Sequence, residues 1–272
     1  MAELVREARY AVRSYLLVAG AWVRSSLTYP VSFWTLTIGS LLINFLDFVG
    51  IWFMFHSIDA LGGFGLREIG LLYGLTGAAM GVGDLVISNV EQLGLKIRTG
   101  RLDVMMTKPV PLLVQVAADQ FQLRRLGRLA QALVVLAWAA PVVDWTGLRG
   151  VVGLEALLAG SVIFCCLFIA FSAVQFWTTD SSEFANAFTY GGNTVLQYPM
   201  TVFPKALVTS LTYGLPLAFV NWYPALFLLG RSDPLGAPDW LRFASPVPAA
   251  VLVAVTAVVW RAGVRHYRST GS

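Results

Sequence analysis

Few residues in this 272-residue chain have the type and spacing to do chemistry. A P-loop needs Gly-Lys followed by Ser or Thr, so that backbone amides and the lysine together hold the phosphates. The three lysines, Lys96, Lys108 and Lys205, follow Leu95, Thr107 and Pro204. The sequence therefore has no such loop, and any ATP hydrolysis belongs to another polypeptide. Metal chemistry fares no better, because His56 and His266 have no ligand-spaced partner. No intramembrane acid pair or Ser/His pair suggests a protease. Cys165 and Cys166 are adjacent, where a disulfide is strained. Neither a cofactor nor a catalytic residue is expected in this chain.

The elements that carry these residues are set by composition. Hydrophobic residues make up 57% of the chain and charged ones 12%, against roughly 25% charged in a soluble domain. A soluble enzyme, a disordered chain and a nucleic-acid-binding domain are excluded. Apolar runs of the length needed to cross about 30 Å of hydrocarbon as helices fall at about Pro30 to Phe55, Ile69 to Ser88, Leu129 to Val143, Val151 to Trp177, Ala206 to Leu229 and Ser245 to Trp260. The expectation is an all-α polytopic membrane protein with six transmembrane helices. Residues 183–204 either lie at the interface or begin an early fifth span, and Trp222 to Leu229 reads as a short re-entrant piece. Of the 19 basic residues, 15 fall in the N-terminus, the segments after the second and fourth spans, and the C-terminus. Lys205 is counted among these. Basic residues near span ends are retained inside, so both termini are expected in the cytoplasm.

Residues 1–28 read as an amphipathic interfacial helix, with residues 29–272 as the transmembrane domain. Leu4, Ala8, Ala11, Tyr15, Val18 and Trp22 form one stripe, and Arg6, Arg9, Arg13 and Arg24 lie opposite. Such a helix lies flat on anionic headgroups of the bilayer. Within the spans, Thr37, Ser40, Asn44 and Asp47 share one face of the first helix. They either hydrogen-bond a neighbouring helix or line a translocation path. Gly70, Gly74, Gly77 and Gly81 make a stripe on the second helix that Asp84 and Ser88 continue. Small residues at this spacing let a neighbour approach closely. Gln175 is read as a hydrogen-bonding residue, and Glu155 as the only other carboxylate well inside a span.

The segment 89–128 is long, basic and partly apolar. Gly100 can end a helix, Pro109 and Pro111 force a turn, and Leu112, Val116, Phe121 and Leu123 supply a further apolar face. A loop that only joined spans could be shorter, so this one reads as a docking surface.

At this loop the sequence resembles the permease subunits of type-2 ATP-binding cassette exporters, in particular a bacterial subgroup of paired permeases. The likeness rests on Ile97-Arg98-Thr99-Gly100-Arg101-Leu102-Asp103 followed by Lys108-Pro109, with support from Tyr198-Pro199, Leu215-Pro216 and Tyr223-Pro224-Ala225. Arg101 departs from the acidic residue that many members carry there. The resemblance implies a bacterial inner-membrane protein whose residues 97–111 couple to a separate ATPase that binds ATP and Mg. It also implies a second permease, either identical or a sister chain, and a re-entrant turn that plugs the outer end of the path. The coupling residues would be Ile97, Arg98, Gly100, Leu102, Asp103, Lys108 and Pro109. Ser40, Asn44, Asp47, Gly74, Gly77, Gly81 and Asp84 are the candidates for pathway or helix packing. A membrane scaffold and a secondary carrier are the alternatives from other classes.

Overall fold

The computed structural model describes residues 2–178 and 182–268. The side chains of Leu4, Ala8 and Ser88, named above, fall outside the described set. Among the described residues the chain is helical, with no strand. In order it forms α1 (Ala2–Leu27), α2 (Pro30–Met54), α3 (Leu66–Ile87), α4 (Leu93–Arg98), α5 (Arg101–Met106), α6 (Leu112–Ala118), α7 (Leu126–Ala139) and α8 (Gly147–Ala173). These are followed by α9 (Ser182–Leu196), α10 (Lys205–Thr209), α11 (Trp222–Leu228) and α12 (Pro246–His266). Pro30 and Pro246 each open a helix, where the missing N–H is no loss and φ is already set.

Helix α3 is the axis of the bundle. Its glycine stripe faces α7 at backbone distance: a Cβ on Gly74 would stand 2.7 Å from Leu136 Cα, one on Gly77 2.9 Å from Ala132 Cβ, and one on Gly81 3.0 Å from Leu129 Cα. The other side of α3 meets α8, where a Cβ on Gly160 would come within 3.0 Å of Ala79 Cβ. Without hydrophobic drive between helices in lipid, such close packing is a main source of association. Helices α2 and α12 are peripheral and turn apolar residues such as Ile43 and Val258 outward, as a bilayer requires. Helices α2, α3, α8 with its short extension, and α12 are long and apolar enough to cross a membrane, and Leu126–Val142 is a shorter apolar helix. The chain is an all-α, multi-pass membrane protein.

The expected fifth span is corrected. Residues 206–229 do not form one helix: α10 runs into a π-helical turn at Ser210–Gly214, and a separate turn at Leu217–Phe219 precedes α11. Pro216 and Pro224 interrupt the run, and Asn221 closes it by donating from Nδ2 to the carbonyls of Leu72 and Leu196. The residues of α11 are mostly buried, and only covered backbone of this kind is tolerated at membrane depth. The chain passes from one end of α3 toward the other over residues 190–201, through the second half of α9 and the turn after it. Tyr190 on α9 bonds Asp84 near the end of α3, whereas Thr201, just beyond α9, bonds Gly62 O at the opposite end. Lys205 therefore leaves the basic end of the bundle. Sequence hydropathy favoured residues 206–229 because α9 carries Asn186 and the run Gly191, Gly192, Asn193 and Thr194.

The stripe on α1 is also used differently. Ala11, Tyr15, Val18 and Trp22 are half-buried, and Tyr15 OH donates to Val86 O at 2.9 Å. It is Val12, Leu16 and Leu17 that stay exposed.

Replacing Gly74 by Ala forces the methyl into Leu136 and is expected to destabilise the bundle by about 1–3 kcal/mol. Thermal unfolding in detergent should show a lower Tm than for Gly39→Ala, whose Cβ would meet nothing within 4 Å.

Candidate functional site

The segment after α3 folds back on itself. Gly100 takes φ +67° and separates α4 from α5; a Cβ there is strained by the following carbonyl. Gln115 on α6 then ties the turn, its Nε2 donating to Met105 O at 2.9 Å and Val110 O at 2.7 Å. Asn89 Nδ2 donates to Ala117 O at 3.0 Å. Lys96 is buried and pairs with Asp119 at 3.2 Å, and the same carboxylate takes Arg101 at 3.2 Å. The Arg101–Asp119 pair gives the departure noted in the sequence a structural partner. Burial pulls the Lys96 ammonium below its usual value, and Asp119 resists that shift.

Three further contacts fix this unit to the bundle. Gln175, just past α8, accepts from Gly94 N–H at 2.6 Å and donates to Glu91 O at 3.1 Å, the hydrogen-bonding role expected of it. Tyr267, just past α12, donates to Asp103 Oδ1 at 2.9 Å. Tyr10 of α1 donates to Pro109 O at 2.9 Å. The expected coupling residues accordingly divide. Ile97 and Leu102 are buried at 3% and 0% exposure and hold the segment from behind. Gly100 and Asp103 are half-buried, while Arg98, Lys108 and Pro109 are exposed. Leu95, Val104 and Met106, which sequence reading did not single out, stand 51%, 60% and 46% exposed among the basic side chains. Period gave the signal for two of them, since Leu95 and Val104 lie about 200° round the helix from Ile97 and Leu102; Met106, four residues after Leu102, gave none.

Behind the segment lies an ionic hub. Asp84 Oδ1 meets Arg125 at 3.3 Å and Oδ2 meets Arg128 at 3.2 Å. Tyr190 OH donates to Oδ1 at 3.2 Å, and its ring lies 5.1 Å from the Arg128 guanidinium. Glu91 Oε2 is 3.5 Å from the same hydroxyl. Burial pushes the Glu91 carboxyl from about 4.5 up to about 7, opposed by Arg125 and aided by Asp84.

From the hub a polar cavity of about 330 Å³ runs between α2 and α9 over α3 and α7. Asn44 and Asp47 line it from α2, Tyr73 and Gly77 from α3. Arg128 Nε donates to Asn44 Oδ1 at 3.2 Å, and Tyr73 OH accepts from Gln131 at 3.2 Å while donating to Asn44 O at 3.3 Å. A second space of about 220 Å³ shares Arg128 and Tyr190 with it and reaches Ser40 and Asp84. The α2 stripe thus both bonds its neighbours and faces a cavity, whereas Gly74 and Gly81 serve helix packing. Among the described residues no cluster of His, Cys, Asp and Glu could hold a metal.

A family model described as ABC-2 family transporter protein matches residues 41–271, all of the chain beyond α1 and the start of α2. The chain belongs to the ABC-2 transporter family. It is the permease component of an ATP-binding cassette transporter, and its partner is an ATP-binding cassette ATPase. No curated protein and no solved structure matches it.

For this permease the raised Glu91 carboxyl has a consequence for stability. The folded chain holds the proton to higher pH than the unfolded one, so it binds more protons between about pH 4.5 and 7, and stability falls as pH rises through that window. Glu91→Gln removes the titration. Its Tm should vary less than that of the wild type across that range in a pH series of thermal unfolding; parallel curves would remove the effect.

Proposed function

We propose that the permease is an exporter subunit of a bacterial cytoplasmic membrane, with residues 1–28 as its interfacial helix and the basic end of the bundle facing the cytoplasm. It works with a second permease, and separate ATPase chains carry ATP and Mg. Residues 89–128 dock on the ATPase, and the path runs along the polar cavity. One observation carries the reading: an exposed apolar and basic face at Leu95, Val104, Met106 and Arg98 sits on a back that is buried and bonded to α1 and to the residues just past α8 and α12. A unit braced in this way transmits a push to the bundle instead of absorbing it. The Asp84 hub then passes displacement of α3 and the 123–125 turn to the cavity wall. A scaffold would use the docking face but has no need of the cavity. The covered piece around α11 would close the outer end.

The test is co-purification with the partner ATPase. Val104→Glu with Met106→Glu places charge on the docking face and should cut capture of the ATPase and stimulation of its hydrolysis about tenfold or more, as loss of a central interface contact does. Because both side chains point away from the core, insertion and Tm should stay unchanged. Unaltered stimulation would refute the docking role, and ATP hydrolysis by the purified permease alone would refute the division of labour.

A further inference from the structure

The polar cavity contains a carboxylate with no ion pair of its own. Asp47 stands seven residues before the end of α2 at Met54, about 10 Å along the axis at 1.5 Å per residue, and so within the span. Its side chain is exposed toward the cavity, and among the described residues it has neither an ion pair nor a hydrogen bond. The basic residue of the same cavity, Arg128, is committed to Asp84, to Asn44 Oδ1 and to the ring of Tyr190. Neither α2 nor α9, the helices that flank the opening, carries a Lys or Arg. A second copy approaching through those helices therefore brings no counter-charge either.

Two further features of the wall suit a cation, beside the amides of Asn193 and Gln197, which offer both a donor and an acceptor. Asn193, on the cavity wall, has its side-chain oxygen buried without a hydrogen-bond partner. The rings of Tyr73 and Tyr198 also line the space, and aromatic faces attract cations through their quadrupole. The hydroxyl of Tyr73 and the amide nitrogen of Asn44 are already engaged, the latter with Ser40 O at 2.6 Å. An uncompensated carboxylate inside a span is costly and marks a ligand or ion position. The volume, about 330 Å³, lies at the lower end of the range for small-molecule sites, roughly 300–1,000 Å³.

We infer that this cavity receives the cationic group of an amphipathic organic molecule, with Asp47 as its counter-charge and the tyrosine rings as its walls. The assignment rests on the cavity lying on the transport path, and it specifies the substrate class of that path.

The full chain, reconstituted in nanodiscs of zwitterionic lipid, is titrated with tetraphenylphosphonium and with its anionic isostere tetraphenylborate; empty nanodiscs give the background. Saturable binding of the cation alone is expected. It should weaken about tenfold or more in Asp47→Asn, the scale of losing one partner of a desolvated charge pair, and should return with Asp47→Glu. The elution profile and Tm of Asp47→Asn show that the variant is folded. Undiminished binding of the cation by Asp47→Asn overturns the inference, as does equal binding of both probes or a change only in self-association. Since no ATPase is present, binding survives if the ATP-coupled reading fails. Conversely, ATPase stimulation that persists without Asp47-dependent binding strikes the ligand assignment alone.

Discussion

The carboxylate of Asp84 joins α3, the start of α7 and α9 in one ionic contact. It sits near the end of α3, is 6% exposed, and bonds two arginines from the start of the α7 region and the phenol of α9. A buried cluster of this kind is held by mutual neutralisation, and removing one member strands the rest at a cost of about 3–5 kcal/mol. Glu91 lies at the edge of the cluster, its carboxyl pushed up to about 7 by burial. The docking segment, the bundle axis and the cavity wall therefore share one electrostatic joint. Moving any of them changes distances for all.

Around that joint the structure is rigid where force would enter. On the α7 side, Gly74 and Gly81 of α3 lie against the backbone of Leu136 and Leu129. The segment 88–119 is stapled internally by Gln115 and Asn89 and externally by Gln175, Tyr10 and Tyr267. Interfaces packed at this density shift as units instead of deforming continuously. The looser boundary is between α2 and α9, which are separated by the cavity. Relative motion of those two helices changes the space facing Asp47 without breaking the α3–α7 contact.

Much of this arrangement was legible in the sequence. The glycine spacing on α3 announced a close helix contact because only a missing Cβ allows one, and the polar face of α2 announced a partner because unsatisfied groups are costly in lipid. Gly100 announced its break because the left-handed conformation favours glycine. The hub was missed because Arg125 and Arg128 were counted as loop charges. The need of Asp84 for a counter-charge was the signal that could have found them. The fifth traverse was misplaced because hydropathy scores side chains, whereas what decides is how the broken backbone from Pro199 to Leu228 is satisfied. Asn221, reaching Leu72 and Leu196 across the fold, does that.

The sequence by itself determined the solvent, the helical class, the lack of a P-loop lysine and the position of the long basic segment after α3. These follow from composition, period and local chemistry, which act within a few residues. Only the tertiary structure decided how that segment is braced, which end of the bundle holds Lys205, and that Asp47 and Arg128 share a cavity while Arg128 pairs with Asp84. Those outcomes depend on pairings between residues tens of positions apart, such as Asp84 with Tyr190 and Lys96 with Asp119. A charge in a span signals that it needs a partner, but only its neighbours in space determine whether it has one.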